Sequence, residues 1–430
     1  MNQISNKFRH LLWTLVSLAL LLLFNAIFTD NFFKIEIKSA GADSSKKAVQ
    51  PAVPGKLPAA DSTRIAPENY EGASDSAEVV TEINEAAAEA VEQAQAAAQQ
   101  PAPAAPAPQQ EESKGVSIFG YYLYGTPIDI LNQGAKVMVL AIGMTLVIAT
   151  GGIDISVGAV MAIAGAIAAL LISMLDAGNF PGSSLGPNVY WIIPLAAALI
   201  LATVAGFWNG MLVAGFGIQP MVATLVLMVA GRGVAQLITD GQIITFDNPA
   251  LVFLCNGHAL FLPFSIWIVA TMYIIAGLLT RKTAFGLFIE SVGNNERASR
   301  YAGIEARRIK WLTYVICGFC AGVAGLLAAS NIKCADSNNA GLYLELDAIL
   351  ATVIGGTSMA GGRFFLSGSL VGAILIQTLT TTMYMKNVSP AIVQVPKAMV
   401  VIIVCLLQSP VFRAKILSIF ASKAAKGGVQ

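Results

Sequence analysis

Residues 137–175 read VMVLAIGMTLVIATGGIDISVGAVMAIAGAIAALLISML, and this stretch decides the fold class. It contains two apolar runs joined by Gly151 and Gly152, and Asp154 is its only ionisable residue. Runs of about 20 apolar residues cross the hydrocarbon core of a bilayer as helices. The stretch therefore predicts two membrane helices, near 135–150 and 153–175, that reverse at a glycine-rich turn.

The composition of the whole chain agrees with this interpretation. Of its 430 residues, 56% are hydrophobic and 12% are charged, whereas soluble domains average about 45–50% and about 25%. The net charge of +1, with no basic cluster that alternates with aromatic residues, excludes a nucleic-acid binder. Five cysteines are too few for a disulfide scaffold. The chain is therefore an integral membrane protein rather than a large soluble enzyme.

The hydropathy pattern predicts an all-α polytopic membrane protein with about ten transmembrane helices. An uncleaved N-terminal anchor occupies 1–35, a transmembrane domain 116–410 and a basic tail 411–430. The helices are expected near 11–28, 135–150, 153–175, 190–213, 218–239, 259–280, 310–330, 346–361, 364–385 and 391–408.

Residues 36–115 form an acidic, low-complexity insert that is rich in Ala, Pro and Gln. Such a composition cannot bury enough apolar surface to offset the entropy of ordering, so the insert is expected to be largely disordered. Pro101–Pro108 is expected to be an extended spacer. The insert is either a tether without chemistry or a docking segment for an envelope partner.

Basic residues near helix ends predict the orientation in the membrane. The loop 281–310 and the tail 411–430 carry clusters of Lys and Arg, and Lys7 and Arg9 precede the first helix. Such clusters stay in the cytoplasm. Six helices precede the loop and four follow it, so both termini are expected in the cytoplasm and the insert outside it.

The residues that catalysis and cofactor binding require are scarce. His10 and His258 are the only histidines, which argues against a metal site or a catalytic triad. The run from Gly355 to Gly362 lacks the Lys of a phosphate-binding loop. We therefore expect no catalytic residue, cofactor or metal in this chain, and any ATP hydrolysis must occur on another polypeptide.

Three ionisable residues inside predicted membrane segments are candidates for the translocation pathway: Asp154, Arg232 and Asp347. Charges are costly in hydrocarbon, so each is a functional candidate by default. For Asp154 the alternative is a cap on the following helix, and for Arg232 and Asp347 it is structural pairing. Lys136 and Lys397 are candidates for snorkelling, and Glu345 is expected near an outer edge.

Glycine-rich turns are the second group of candidates. They are predicted to form tight reversals and close helix contacts, and their residues are Gly151, Gly152, Gly355, Gly356, Gly361 and Gly362. An internal repeat would also explain their similarity, although shared turn chemistry is sufficient.

A short helix is predicted inside the basic loop 281–310. Asn294 or Asn295 can cap it and Gly303 can end it. Such a helix suits either docking onto a cytosolic partner or contact with anionic lipid headgroups. The candidate residues are Gly293, Asn294, Glu296, Arg297, Ala298, Arg300 and Gly303.

Residues 118–410 resemble the permeases of ribose/galactose-class ABC sugar importers, the galactofuranose type in particular. The resemblance runs through 125–131, 141–159, 218–225, 231–238, 293–304 and 336–363. It implies an inner-membrane permease that works with two cytosolic ABC ATPase subunits, a second permease (identical or a paralogue) and an extracytoplasmic sugar-binding protein. It also implies that Gly293–Gly303 couples to the ATPases. The insert 36–115 departs from the family pattern.

Three hypotheses therefore remain from the sequence. The first is an ABC sugar permease that works by alternating access. The second is an ion-coupled secondary transporter, for which Asp347 is the only carboxylate expected deep in the membrane. The third is a structural or signalling protein that uses the acidic insert for recognition.

Overall fold

The computed structural model describes residues 12, 14–19, 21–22, 36–39, 121–176, 191–389, 392–399 and 402. The helices are α1 (Thr126–Ala149), α2 (Val157–Asp176), α3 (Ile192–Gly210, extended by a π-helical turn Met211–Gly215), α4 (Pro220–Ile238), α5 (Pro249–Asn256), α6 (Phe264–Lys282), α7 (Ala284–Asn294), α8 (Glu296–Tyr301), α9 (Ala306–Ile332), α10 (Leu344–Ile354) and α11 (Leu366–Met385). The strands are β1 (Glu36–Ser39), β2 (Tyr121–Tyr124), β3 (Ile244–Thr245), β4 (His258–Ala259), β5 (Leu262–Pro263) and β6 (Cys334–Ala335).

Seven helices in this part of the chain are long and apolar enough to cross a membrane: α1, α2, α3 with its π turn, α4, α6, α9 and α11. The prediction of a helical polytopic membrane protein is therefore confirmed. The count of ten stays a prediction, although residues 14–19 and 392–399, inside the predicted first and last helices, are helical.

The helix predicted at 346–361 ends earlier than expected. Helix α10 has 11 residues, about 16 Å of helix, which is half of the roughly 30 Å of a hydrocarbon core. It ends where the chain enters the Gly355–Gly362 turns, in which Gly356, Gly361 and Gly362 all have positive φ. An apolar run alone did not reveal this break, because the turn glycines are themselves compatible with a hydrophobic pattern.

The segment 333–343 turns back into the helix bundle before α10 begins. A Cβ at Gly325 of α9 would touch Met161 of α2, and a Cβ at Gly158 would touch Gly341. Gly158 precedes Met161 by three residues, and α2 runs parallel to α9. The level of Gly158 and Gly341 therefore lies about 15 Å before the end of α9, measured along the axis of that helix. This part of the bundle is therefore crossed by an irregular segment followed by a half-length helix.

Small residues bring the central helices α1, α3 and α9 into close contact. Gly318 of α9 lies against the backbone of Gly206 in α3, and Gly143 of α1 lies against Cys317 and Cys320. Both cysteines are fully buried. They match the C-x-x-C pattern, but their burial in this helix contact indicates packing rather than redox chemistry.

The outer helices present apolar side chains outward. Leu225 and Val229 on α4, and Ile274 and Leu278 on α6, are each about half exposed or more. Contiguous exposed apolar faces are typical of surfaces covered by lipid or by another membrane subunit.

The start of the predicted insert pairs with a strand that follows the insert in the chain. Strand β1, at the start of the insert, pairs antiparallel with β2, which directly precedes α1, with Glu36 opposite Tyr124 and Ser39 opposite Tyr121. The remainder of the insert and the tail 411–430 lie outside the described residues. Residues 36–39 thus form a strand where the composition predicted disorder.

Candidate functional site

The predicted short helix in the basic loop is present as α8. The side chain of Asn295 accepts a hydrogen bond from the backbone N–H of Ala298 at 3.0 Å, which satisfies one free donor of the first turn. The helix ends at Tyr301, and Gly303 follows with a φ of 82°. Of the two predicted caps, Asn294 and Asn295, the structure shows Asn295, and Gly303 follows the end of the helix as predicted.

Ionic contacts fix α8 to the start of α9. The carboxylate of Glu296 accepts hydrogen bonds from Lys310 and from Arg300. The hydrogen bond from Lys310 is the main reason why the pKa of Glu296 lies below its usual value. Arg297 is exposed, and Tyr301 is 93% exposed. One side of α8 is thus anchored to the protein while an aromatic and a basic side chain point into solvent.

Three glycine segments that are distant in sequence meet at one point. A Cβ at Gly293, near the end of α7, would overlap the carbonyl oxygen of Ala149 and the backbone of Gly362. The N–H of Gly362 donates to that same carbonyl at 2.8 Å. A Cβ at Gly361 would touch Gly293 and Gly151. We call this contact of Gly151, Gly293, Gly361 and Gly362 with Ala149 the glycine junction.

The other predicted turn glycines lie elsewhere. Gly152 lies against the hydroxyl of Tyr314 in α9. Gly355 lies against the backbone of Gly368, where α10 crosses α11, and Gly356 makes the turn that follows, with a φ of 93°. The glycine turns therefore serve three separate contacts: the glycine junction, Gly152 with Tyr314, and Gly355 with Gly368.

Asp154 is buried in the turn that precedes α2. Its Oδ1 accepts hydrogen bonds from the backbone N–H of Ser156 at 3.0 Å and from the Ser156 hydroxyl at 2.6 Å. The amide of Asn209 in α3 donates to the same Oδ1 at 3.4 Å and to the Ser156 hydroxyl at 2.8 Å. The N–H that Asp154 binds belongs to Ser156, one residue before α2 begins. Asp154 thus shapes the turn directly before α2 and joins that turn to α3.

Arg232 joins α4 to the irregular segment 333–343. Its Nη1 donates to the carbonyl oxygens of Ser337 at 3.2 Å and Ala340 at 2.6 Å. One turn later, Gln236 donates to the side chain of Asn338 at 2.6 Å. The hydrogen-bond partners of Arg232 are therefore backbone carbonyls, which agrees with the alternative that Arg232 serves structural pairing within the bundle.

Asp347 pairs with Lys397. The Nζ atom of Lys397 lies 2.8 Å from Oδ2 and 3.1 Å from Oδ1 of Asp347, and both residues are buried. Lys397 therefore does not snorkel to an interface but neutralises a carboxylate inside the bundle. Asp154, Arg232 and Asp347 have different partners, so they do not form one common polar site.

Glu345 is a buried acidic residue that the sequence placed near an outer edge. It is 3% exposed in the first turn of α10, and its Oε2 atom has no hydrogen-bond partner among the described residues. It lies beside Gly158. The sequence did show a second carboxylate two residues before Asp347. It did not show that Glu345 is buried, because the depth of α10 in the bundle depends on packing against distant segments.

Comparisons with known proteins agree on one kind of membrane component. Residues 126–406 match the family described as branched-chain amino acid transport system / permease component. The chain is 55% identical over 290 residues to the galactofuranose transporter permease protein of Escherichia coli, covering 67% of this chain and 81% of that protein. It is 42% identical over 292 residues to the fructose import permease protein of Bifidobacterium longum, covering 67% and 78%.

A more distant relative gives the same picture. The ribose import permease protein of Escherichia coli is 34% identical over 293 residues, covering 67% of this chain and 87% of that protein. No solved structure matches the chain significantly. All the candidate residues lie inside the range that matches the family, whereas the acidic insert lies outside it.

Proposed function

The chain belongs to this family of transport-system permease components, and we propose that it forms the membrane pathway of an ATP-driven importer of simple sugars. The family description refers to branched-chain amino acids, but the relatives named above are permeases for galactofuranose, fructose and ribose. The identity of 55% to the galactofuranose permease favours a sugar of that type. The chain itself is a transport subunit, and ATP hydrolysis belongs to separate ATPase subunits.

The observation that supports this function best is the contact between α7–α8 and the glycine junction. The exposed Tyr301 and Arg297 offer an aromatic and a basic side chain of the kind that anchors protein interfaces. Behind them, Gly293 touches Ala149 at the end of α1 and Gly362 before α11 with no side chain between. A displacement of α8 by an ATPase would therefore reach two membrane helices directly, as alternating access requires.

Membership of the family supports a proposal for the full assembly. The partners are two cytosolic ABC ATPase subunits that contact Gly293–Gly303, a second permease (a copy or a paralogue) and a sugar-binding protein outside the cytoplasm. The chain lies in the inner membrane as a multi-pass protein, with both termini in the cytoplasm and residues 36–115 outside it. In this arrangement Asp154, Arg232 and Asp347 stabilise the conformations of the pathway.

Reconstitution of the transporter tests this function. The permease is purified with its co-expressed ATPase and binding protein, placed in liposomes, and supplied with D-galactose, D-fructose, D-ribose or L-leucine. We expect ATP-dependent uptake of at least one sugar and none of leucine. Uptake driven by an ion gradient without ATP would favour a secondary transporter, and uptake of leucine alone would contradict the sugar assignment.

Labelling of single cysteines tests the orientation. After the native cysteines are replaced, Ala86→Cys should react with an impermeant thiol reagent in cells with a permeabilised outer envelope, and Tyr301→Cys should not. Tyr301 is the appropriate cytoplasmic reporter because it is fully exposed, whereas the neighbouring Ser299 is buried and would fail to react on either side. The reverse pattern would invert the topology.

A further inference from the structure

A cavity of about 230 Å³ lies where α1, α2 and α9 meet the irregular segment 333–343. Its walls include Lys136, Met161, Gly165, Ala329, Cys334 and Asn339. It is separate from the glycine junction, and none of the pathway candidates Asp154, Arg232 and Asp347 lines it.

The backbone around this cavity is irregular at a depth where helices are expected. The segment 333–343 passes beside the second residue of α2, Gly158, and α10 begins only there. In a membrane protein, non-helical backbone at this depth occurs where it is buried in protein or lines a polar cavity. Broken helices near the middle of the membrane form the substrate sites of many transporters.

The lining combines small apolar walls with a few polar groups. Gly165, Ala329 and Met161 give a smooth apolar surface, and Lys136 contributes an ammonium group. Gln133 Oε1 accepts one N–H of that ammonium at 3.2 Å, and an ammonium carries three. Asp336 also lines the cavity and holds its wall in shape by accepting from the N–H groups of Asn338 and Asn339.

The volume and the charges restrict the ligand. A cavity of about 150 Å³ holds a benzene ring, so about 230 Å³ has room for one ring with substituents and not for two rings. Lys136 disfavours a purely apolar ligand, and the carboxylate of Asp336 disfavours an anion. Hydroxyl groups can accept from Lys136 and donate to amide or carbonyl oxygens, while the C–H faces of a sugar ring pack on the small apolar residues.

We infer that this cavity is a transit site for one neutral monosaccharide. The inference rests on the proposed function and adds to it a location inside a single permease chain. In this site Lys136 binds a sugar hydroxyl, and the segment 333–343 forms the wall of the site away from α1.

Filling the cavity is the first test. A Cβ at Gly165 would make only ordinary contacts, 3.6 Å to Ala329 Cβ and 3.7 Å to the carbonyl oxygen of Gly325. Because Gly165 lines the cavity, Gly165→Leu adds its side chain at the cavity wall. Gly277→Leu in α6 is the matched control, because its Cβ meets nothing within 4 Å. We expect Gly165→Leu to lose most sugar uptake, with assembly and basal ATP hydrolysis retained, and Gly277→Leu to keep uptake.

Protection of a native thiol is the second test and needs no substitution. Cys334 lines the cavity and is half-buried, whereas Cys255, Cys317 and Cys320 are buried. The intact transporter is treated with N-ethylmaleimide, and mass spectrometry of the peptide that contains Cys334 measures the rate at which this thiol is alkylated. A transported sugar should slow this reaction several-fold with increasing concentration, and L-leucine should not.

The two tests separate this inference from the proposed function. Normal ATP-driven sugar uptake by Gly165→Leu, or a Cys334 reaction rate unchanged by a sugar that the wild type transports, would overturn the cavity site and leave the importer intact. If Gly165→Leu fails to assemble, the protection of Cys334 in the unmodified protein decides. Absence of any sugar uptake by the wild type would overturn both.

Discussion

The glycine junction predicts a specific uncoupling variant, Gly293→Ala. The added methyl group would lie on the hydrogen bond between the N–H of Gly362 and the carbonyl of Ala149. Both neighbours are backbone, so neither can move aside as a flexible side chain would. The end of α7 and the two turns must therefore separate, which breaks the direct contact between α7 and the segments that follow α1 and precede α11.

The size of this effect follows from three contributions. Overpacking costs about 1–3 kcal/mol, and the lost backbone hydrogen bond costs roughly 0.5–1.5 kcal/mol. The preference of Ala over Gly inside a helix offsets about 1 kcal/mol. The net penalty is roughly 0.5–3.5 kcal/mol, which would lower the population of the conformation seen here by roughly 2-fold to 400-fold.

The measurement compares ATP hydrolysis, sugar uptake and the thermal unfolding midpoint in liposomes or detergent. For Gly293→Ala we expect ATP hydrolysis to continue while uptake per ATP falls, with a modest loss of stability. Gly277→Ala is the control, because the same methyl group has open space there, and it should match the wild type or be slightly more stable. Wild-type uptake per ATP in Gly293→Ala would refute the role of the junction in coupling.

Further predictions concern the ion pairs and the insert. Asp347→Asn should destabilise the protein by about 3–5 kcal/mol, because it leaves the buried Lys397 unpaired. In detergent unfolding, a double Asp347→Leu, Lys397→Met variant should regain most of that loss. Equal stabilities of the single and double variants would contradict the pairing. Since the pKa of Glu296 is lowered, its stabilisation of α8 is complete above the ordinary carboxylate pKa and is lost as the pH falls through the lowered value. Hydrogen exchange of α8 should thus show an acid-induced loss of protection that Glu296→Gln abolishes, and an unchanged acid profile in that variant would exclude Glu296 as the cause. Deletion of 40–112 should preserve membrane insertion and assembly, as judged by co-purification of the ATPase, and loss of both would show that the insert is more than a tether.

Local features of this protein could be predicted well from the sequence. The apolar runs predicted the membrane class and about ten spanning helices, of which seven are present among the described residues, because the length of an apolar run is set by the thickness of the bilayer. The ends of α8 followed from Asn295 and Gly303, because capping and helix termination depend on residues within one turn.

Contacts between distant segments could not be predicted in this way. The sequence singled out Gly293, Gly151 and Gly361 as separate turn or loop residues, yet nothing local indicates that the three touch. The pairing of Asp347 with Lys397 was equally hidden, since each charge alone is compatible with snorkelling or with a site in the pathway.

The sequence by itself therefore determined the membrane class, the seven spanning helices of the described residues and the capped helix α8, each of which depends on hydrophobic length or on residues within one turn. The tertiary structure alone decided which glycines share a junction, that α10 spans only half the membrane, and that a cavity opens beside segment 333–343. These depend on how closely helices approach when no Cβ separates them, and that distance is a property of two packed elements rather than of either sequence.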